Sequence, residues 1–197
     1  FRSPSSNMDG TISFGQQIAE RYSVGAKQLE FEKILQPFFS HGAKKRYVGK
    51  QVWPKESMLI RGYETRRTDS FPSQVEALEE VFSFLMKSEI DAALNLSKDW
   101  VTRISKGEVE KDTLVISKTV NLKRKYVNED NQAHLQAYKK YIETGRPFVS
   151  GMKISFIVTD ARNSPMVVEP YIPEEECPEP DYNYYADRLA KSLSRIT

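Results

Sequence analysis

The hydrophobic period of the chain changes at Pro72, and this change limits the possible fold more than any other feature. Before Pro72, the segment that begins Leu29-Glu30-Phe31-Glu32 alternates apolar and charged residues, as a half-buried strand does. Phe38-Phe39 and Tyr47-Val48 predict that this strand continues into a hairpin. After Pro72, apolar residues recur mostly at helical spacing. Strands followed by a mostly helical region indicate an α+β fold.

The region after Pro72 contains predicted helices separated by two predicted strands. The helices are centred on residues 75–85, 90–104, 135–142 and 182–196, and the strands on residues 114–118 and 153–158. Ser73 and Glu76 have the spacing of a capping box, although Pro72 suits a first helical turn and favours an earlier start. The stretch from Glu169 to Pro180 is rich in Pro and Glu, which is typical of a loop.

The charge is distributed unevenly, although the formal net charge of the 197 residues is only +2. Between His41 and Arg67 there are eight basic residues and two acidic ones. A second group consists of Lys118, Lys123, Arg124 and Lys125, whereas acidic residues collect between Glu169 and Asp181. Basic clusters apart from an acidic loop favour a polyanionic partner, with nucleic acid as the first candidate. Each cluster alone is also explained by solvated surface charge.

Several classes of protein are disfavoured by the sequence. No apolar stretch approaches the roughly 20 residues of a membrane span, so we expect a soluble, cytoplasmic protein without a membrane partner. A single cysteine, Cys177, excludes a disulfide framework. No glycine-rich loop suited to phosphates is present. Glu30 and Glu32 could flank a divalent cation, but the same pair is also typical of the solvent face of a half-buried strand.

Two short motifs in the first part of the chain resemble a known family. Leu29-Glu30-Phe31-Glu32-Lys33, followed by Lys44-Lys45-Arg46-Tyr47, is similar to the end of the palm domain of family B DNA polymerases, especially the delta-type replicative members. The segment from Arg61 to Ser70 resembles the palm-to-thumb junction of that family. Later matches, in the family's order, are Leu114–Lys118, Tyr126, Ala133-His134, Gly145–Phe148, Gly151, Ile154–Val158 and Tyr184-Tyr185.

This resemblance covers nearly all of residues 27–197 and implies two domains. Residues 1–67 would be the C-terminal part of the palm, with strands and one helix, and residues 68–197 a mostly helical thumb. The family's catalytic D-x-x-S-L-Y-P and Y-x-D-T-D motifs and its exonuclease motifs do not occur in the sequence. The chain therefore resembles the small polypeptide of a split archaeal family B polymerase. A fragment cut from a longer polymerase would have the same sequence, and the chain does not begin with Met.

The resemblance implies that this chain holds primer–template DNA and supplies no catalytic residue of its own. The residues that would contact DNA are Lys44, Lys45, Arg46, Tyr47, Arg66, Arg67, Lys118 and Arg124. Glu30 would approach the catalytic metals only in an assembled polymerase, whose Mg²⁺ ligands would lie mainly on another polypeptide. The implied partners are that large polypeptide, with its palm aspartates and exonuclease, and the DNA. A sliding clamp is a further candidate, although no clamp-binding peptide is recognisable.

Two other functions remain open from the sequence. The chain could be a non-catalytic accessory protein that binds duplex DNA, or an interaction module whose basic surface docks on an acidic protein. Salt-dependent binding of DNA without sequence preference would support the polymerase and accessory functions and would oppose the interaction module.

Overall fold

The computed structural model describes residues 3–4, 6–40, 44–63, 65 and 69–196. Within these residues the fold is α+β, as the sequence predicted. The helices are α1 (Met8–Tyr22), α2 (Pro72–Met86), α3 (Ile90–Ser105), α4 (Ala133–Glu143) and α5 (Tyr182–Leu193). The strands are β1 (Ile34–Phe39), β2 (Tyr47–Trp53), β3 (Ser57–Arg61), β4 (Ile116–Thr119), β5 (Lys153–Asp160) and β6 (Val167–Pro170). In the part of the chain described here, no helix combines the length and apolar character of a membrane span.

The chain forms two compact units, and it passes from one unit to the other more than once. The first unit contains the residues up to Phe39 together with Val48–Leu59, and the second contains Ser40–Tyr47 and the residues from Ile60 onward. The sequence-based boundary between residues 67 and 68 remains a prediction, because it refers to polymerase domains.

The predicted hairpin near the start of the chain is present, but its first strand begins later than expected. Strand β1 pairs antiparallel with β2, with Phe38 opposite Gly49 and Phe39 opposite Val48, and β3 adds to the other side of β2. The strand begins at Ile34, whereas the alternation suggested Leu29. Phe31 is held instead by ring packing, because its ring stacks on Trp53 with 5.4 Å between centroids.

Helix α1 packs against the same aromatic ring through a glycine. Asn7 caps the helix by accepting a hydrogen bond from the Gly10 amide at 2.7 Å. Gly15 is the buried residue of the helix, and a Cβ built at this position would lie 2.3 Å from Cε2 of Phe31. The absence of a side chain at Gly15 therefore allows the helix backbone to approach Phe31.

Helices α2, α3 and α5 pack on one another and supply much of the core of the second unit. Helix α2 begins at Pro72 with Phe71 as its N-cap, which is the earlier start that Pro72 favoured, and Ser73 and Glu76 form no capping box. The Ser73 hydroxyl donates instead to the Thr113 hydroxyl at 2.6 Å. The apolar side chains at the centre of this helical group are Ala77, Leu78, Val81, Phe82, Ala93, Ile104, Leu189 and Leu193, all of which are buried.

The second unit also contains a three-stranded sheet covered by α4. Strand β5 is central and pairs antiparallel with β4 on one side and β6 on the other. Helix α4 contacts all three strands. The sequence predicted β5 closely, but it placed β4 two residues early and missed β6. On the α5 side, the buried Tyr185 hydroxyl accepts a hydrogen bond from the Val158 amide at 2.8 Å, which attaches α5 to β5.

Candidate nucleic-acid interface

The first candidate DNA-contacting element is a turn immediately before β2, formed by Lys44, Lys45 and Arg46 and called here the basic turn. Lys44 and Lys45 are exposed, whereas Arg46 is half-buried. Lys45 has a left-handed backbone with φ of 65°, which is uncommon for a residue with a side chain. The Ser40 hydroxyl donates to the Arg46 carbonyl oxygen at 3.2 Å. The turn therefore exposes two lysines to solvent, one of them on a left-handed backbone. Tyr47 begins β2 directly after the turn.

A second candidate surface forms around His134, at the start of α4. Arg124 lies 5.5 Å from the centroid of the Tyr126 ring, and Tyr126 makes an edge-to-face contact with His134 with 5.5 Å between centroids. Lys118 is exposed on β4 and is close enough to His134 to affect its charge. We call Lys118, Arg124, Tyr126 and His134 the His134 cluster. The structure thus brings together the two predicted thumb contacts, Lys118 and Arg124.

His134 itself is a packing residue and not a surface ligand. Its exposed fraction is 3%. Burial, together with the positive charges of Lys118 and Arg124, lowers the pKa of His134 to about 4. The imidazole is therefore neutral near pH 7, so it adds no charge to the surface that its two basic neighbours form.

The loop that carries Arg124 is held by hydrogen bonds from its backbone amides to side-chain oxygens. The Asn121 amide donates to the Tyr126 hydroxyl at 3.1 Å, and the Lys123 amide donates to Oδ1 of Asn121 at 3.0 Å. The Leu122 amide donates to the Ser150 hydroxyl at 2.9 Å. Sequence analysis did not find Ser150, because this contact joins positions far apart in the chain. Tyr126 was noticed only as a match to the polymerase pattern.

The acidic segment, Glu169 to Asp181, engages basic residues elsewhere in the second unit. Glu169 pairs with Lys140 at 2.5 Å, Glu175 with Arg146 at 2.7 Å, and Glu179 with Lys111 at 2.5 Å. The Lys140 ammonium group also donates to the Val168 carbonyl oxygen at 2.9 Å. These three cations face carboxylates, so the acidic segment reduces the positive potential on its own side of the unit.

The remaining predicted site residues are Arg66, Arg67 and Glu30. Arg66 and Arg67 lie outside the described residues. Glu30 is exposed in the first unit, where its neighbour Phe31 faces Trp53. Among the residues that the structure describes, no three His, Cys, Asp or Glu side chains are grouped closely enough to hold a metal ion. The residues present therefore do not form a site that fits catalytic Mg²⁺.

Comparison with known proteins gives one consistent family. Relatives include a DNA polymerase of Archaeoglobus fulgidus, 32% identical over 66% of this chain and 16% of that protein. The DNA polymerase delta catalytic subunit of Plasmodium falciparum is 25% identical over 96% of this chain and 18% of that protein. The DNA polymerase 2 of Aeropyrum pernix is 28% identical over 81% of this chain and 20% of that protein. The chain thus spans a fifth or less of the length of these relatives.

The fold agrees with this result. The structure of the family B DNA polymerase of Pyrobaculum calidifontis superposes with a TM-score of 0.67 at 19% identity, covering 98% of this chain and 24% of that one. At that identity the likeness concerns the fold alone. The model of DNA polymerase family B matches residues 2–197, which is nearly the whole sequence. The chain therefore belongs to DNA polymerase family B.

Proposed function

We propose that this chain is the part of a split, template-directed DNA polymerase that holds the primer–template duplex. In this proposal residues 1–67 complete the palm, residues 68–197 form the thumb, and a larger polypeptide supplies the catalytic aspartates. The observation that carries the proposal is the basic turn, which exposes two adjacent lysines in a member of a polymerase family. The curated relatives in the comparison are themselves DNA polymerases.

The chemistry of the basic turn suits binding without sequence preference. A polymerase must hold any sequence, so its contacts belong on phosphates and in the minor groove. Every Watson–Crick pair presents acceptors there, at purine N3 and pyrimidine O2. Lys44, Lys45 and Arg46 carry only donors and can reach either kind of acceptor, while Tyr47 adds a ring and a hydroxyl. Because a mismatch displaces the minor-groove acceptors, the same contacts would also respond to errors.

The His134 cluster provides a second place where the backbone of the duplex can bind. Lys118 and Arg124 carry positive charge next to a neutral histidine, and the loop that contains Arg124 is held by the hydrogen bonds of Asn121, Tyr126 and Ser150. A held cation loses less conformational entropy when it binds a phosphate than a freely rotating one does. We assign Lys118 and Arg124 to contacts with phosphates.

The metal chemistry of polymerisation belongs to the partner polypeptide in this proposal. Phosphoryl transfer depends on positioned metal ions and on stabilisation of the developing charge. This chain contributes the position of the duplex, and Glu30 comes near the metals only in the assembled enzyme. Arg66 and Arg67 would brace phosphates or the junction between palm and thumb.

Replacement of Lys44 and Lys45 by Ala tests the proposal. Duplex DNA of several sequences is titrated with the chain between low and moderate salt. The double variant should bind all sequences more weakly, and the slope of log K against log[salt] should fall by about one unit for each lost phosphate contact. Folding should change little, since surface substitutions usually cost less than about 0.5 kcal/mol.

Lys98 and Lys106 provide the matched control, since both are exposed and lie on α3 and at its C-cap. Replacing these two lysines by Ala removes the same net charge and should leave the salt slope close to that of the parent. An unchanged affinity and slope in the Lys44/Lys45 variant would remove the basic turn from the DNA interface and the proposal with it.

A further inference from the structure

The backbone of Gly62 lies directly against the basic turn. Gly62 follows the last residue of β3 and has φ of +74°. A Cβ built on it would lie 2.2 Å from the Lys45 carbonyl oxygen, 3.0 Å from the Lys45 carbonyl carbon and 2.9 Å from Cγ of Arg46. Two of these three neighbours are backbone atoms, so no rotation of a side chain could make room for a methyl group.

The basic turn is therefore fixed by two contacts within the second unit. One is the hydrogen bond from the Ser40 hydroxyl to the Arg46 carbonyl oxygen. The other is the close approach of Gly62 to the Lys45 carbonyl, which any side chain at position 62 would push away. Lys45 has a left-handed backbone, a conformation that persists only where surrounding structure enforces it. The Gly62 contact lies at that residue.

We propose that Gly62 is a positioning residue for DNA binding, which together with Ser40 holds the basic turn in the geometry that directs Lys44 and Lys45 at the duplex. This inference rests on the proposed function, because it assigns a task to the turn only if the turn binds DNA. Gly62 acts through the turn and does not itself contact the nucleic acid. A displacement of the Lys45 carbonyl moves the points from which both lysine side chains extend.

Gly62→Ala is the direct test, and Gly145→Ala is its matched control. Gly145 also has a left-handed backbone, with φ of +77°, but a Cβ there would meet nothing within 4 Å. Both variants carry the same kind of backbone strain, and only Gly62→Ala displaces Lys45. We expect Gly62→Ala to lower duplex affinity about tenfold at low salt and to reduce the salt slope by about one unit. Gly145→Ala should lower the thermal midpoint and leave the slope unchanged.

A second comparison asks whether Gly62 acts through the lysines. In the Lys44→Ala/Lys45→Ala background, Gly62→Ala should cause little further loss of DNA affinity, because residues that act as one unit are not additive. Amide hydrogen exchange should also increase in the peptide that contains residues 44–49 of Gly62→Ala and not in that of Gly145→Ala. Full additivity with the lysine substitutions would contradict the assignment.

The outcomes separate this inference from the proposed function. If the lysine variant loses its salt slope but Gly62→Ala keeps the parent slope, the role of Gly62 is wrong and the proposed function stands. If the lysine variant binds like the parent, the proposed function fails and the DNA-binding role of Gly62 fails with it. Should Gly62→Ala not fold, Ser40→Ala decides, because it loosens the same turn without backbone strain. An unchanged slope in Ser40→Ala would then overturn the inference.

Discussion

Among individual side chains, His134 shows how its neighbours can set the behaviour of a titratable group. The fold buries His134 within electrostatic range of Lys118 and Arg124, which lie earlier in the chain. Burial and both cations oppose protonation, so the folded chain binds a proton at His134 only in strong acid. The unfolded chain has no such restriction.

This difference predicts that acid destabilises the chain through His134. The folded pKa is about 4 and the ordinary value is 6.5, so between these values the unfolded state binds more protons than the folded state. The stabilisation is complete above pH 6.5 and is lost as the pH falls toward 4. Between pH 7 and pH 5 the free energy of unfolding should decrease by up to about 2 kcal/mol because of this residue.

Urea denaturation of the parent and of His134→Gln at both pH values measures the effect. The variant has no titrating ring, so its stability should depend less on pH in this range even if it is lower throughout. An equal loss of stability in parent and variant between pH 7 and pH 5 would show that His134 is not the group responsible.

The secondary-structure elements were predictable wherever a periodic pattern was followed by a residue that ends a helix or strand, such as glycine. Helix α3 follows its apolar residues from Ile90 and is terminated by Gly107, whose φ is +71°. Helix α4 likewise ends before Gly145, and β5 coincides with a segment rich in residues that favour strands. The errors occurred where a distant contact decided the outcome. Ser73 bonds to Thr113 and does not cap a helix, and Phe31 is placed by Trp53 outside the β-ladder.

The candidate site was predictable in its residue types and not in its geometry. The sequence indicated Lys44, Lys45, Lys118 and Arg124 from their clustered charge and from a family resemblance. It contained no signal that Gly62 approaches the Lys45 carbonyl, since that contact depends on how β3 ends beside the start of β2. Strand β6 was missed because four residues ending at Pro170 give too short a pattern to distinguish from a loop.

Helix α1 provides a prediction about the packing of one element. Gly15→Ala in a helix interior normally stabilises by about 0.5–1 kcal/mol. Here the added methyl group would lie 2.3 Å from Cε2 of Phe31, so the ring must move away from Trp53. We expect a net destabilisation of about 1–2 kcal/mol, the usual cost of overpacking. Hydrogen exchange of the α1 amides should therefore become faster.

The neighbouring Gln16 is exposed and serves as the control for helix propensity. Gln16→Ala should leave exchange in α1 close to that of the parent. Slower exchange in Gly15→Ala than in the parent would mean that helix propensity outweighs the contact with Phe31, and the packing argument would be wrong.

For the molecule as a whole, the two units differ in how well they bury apolar surface. Among the described residues of the first unit, Val48 is the one large apolar side chain that is fully buried, and Tyr22, Val24, Leu29 and Phe38 are each more than half exposed. The second unit buries many more large apolar side chains, among them Leu78, Phe82, Leu114, Ile157 and Leu189. Under the proposed function, these exposed apolar side chains are candidates for contact with the larger polypeptide.

Complementation therefore tests the proposed function at the level of the assembled enzyme. With Mg²⁺, primed template and all four nucleotides, the chain alone should extend no primer. Addition of a polypeptide that carries the family's aspartate motifs should give template-directed extension. Primer extension by the purified chain alone would overturn the division of roles. Duplex binding without any gain of synthesis on addition of that polypeptide would favour the non-catalytic accessory protein.

Under the proposed function, the ion pairs of the acidic segment would affect the way in which DNA first approaches this chain. Lys118 lies on β4 and Lys140 is bonded to β6, and these two strands form opposite edges of one sheet. One edge offers positive potential, and the other presents carboxylates that already neutralise their cations. An approaching polyanion is attracted to the first edge and gains little attraction at the second, where the ion pairs cancel the charge. Under the proposed function, this asymmetry would orient the incoming duplex during diffusion, and higher ionic strength should slow association more than it speeds dissociation.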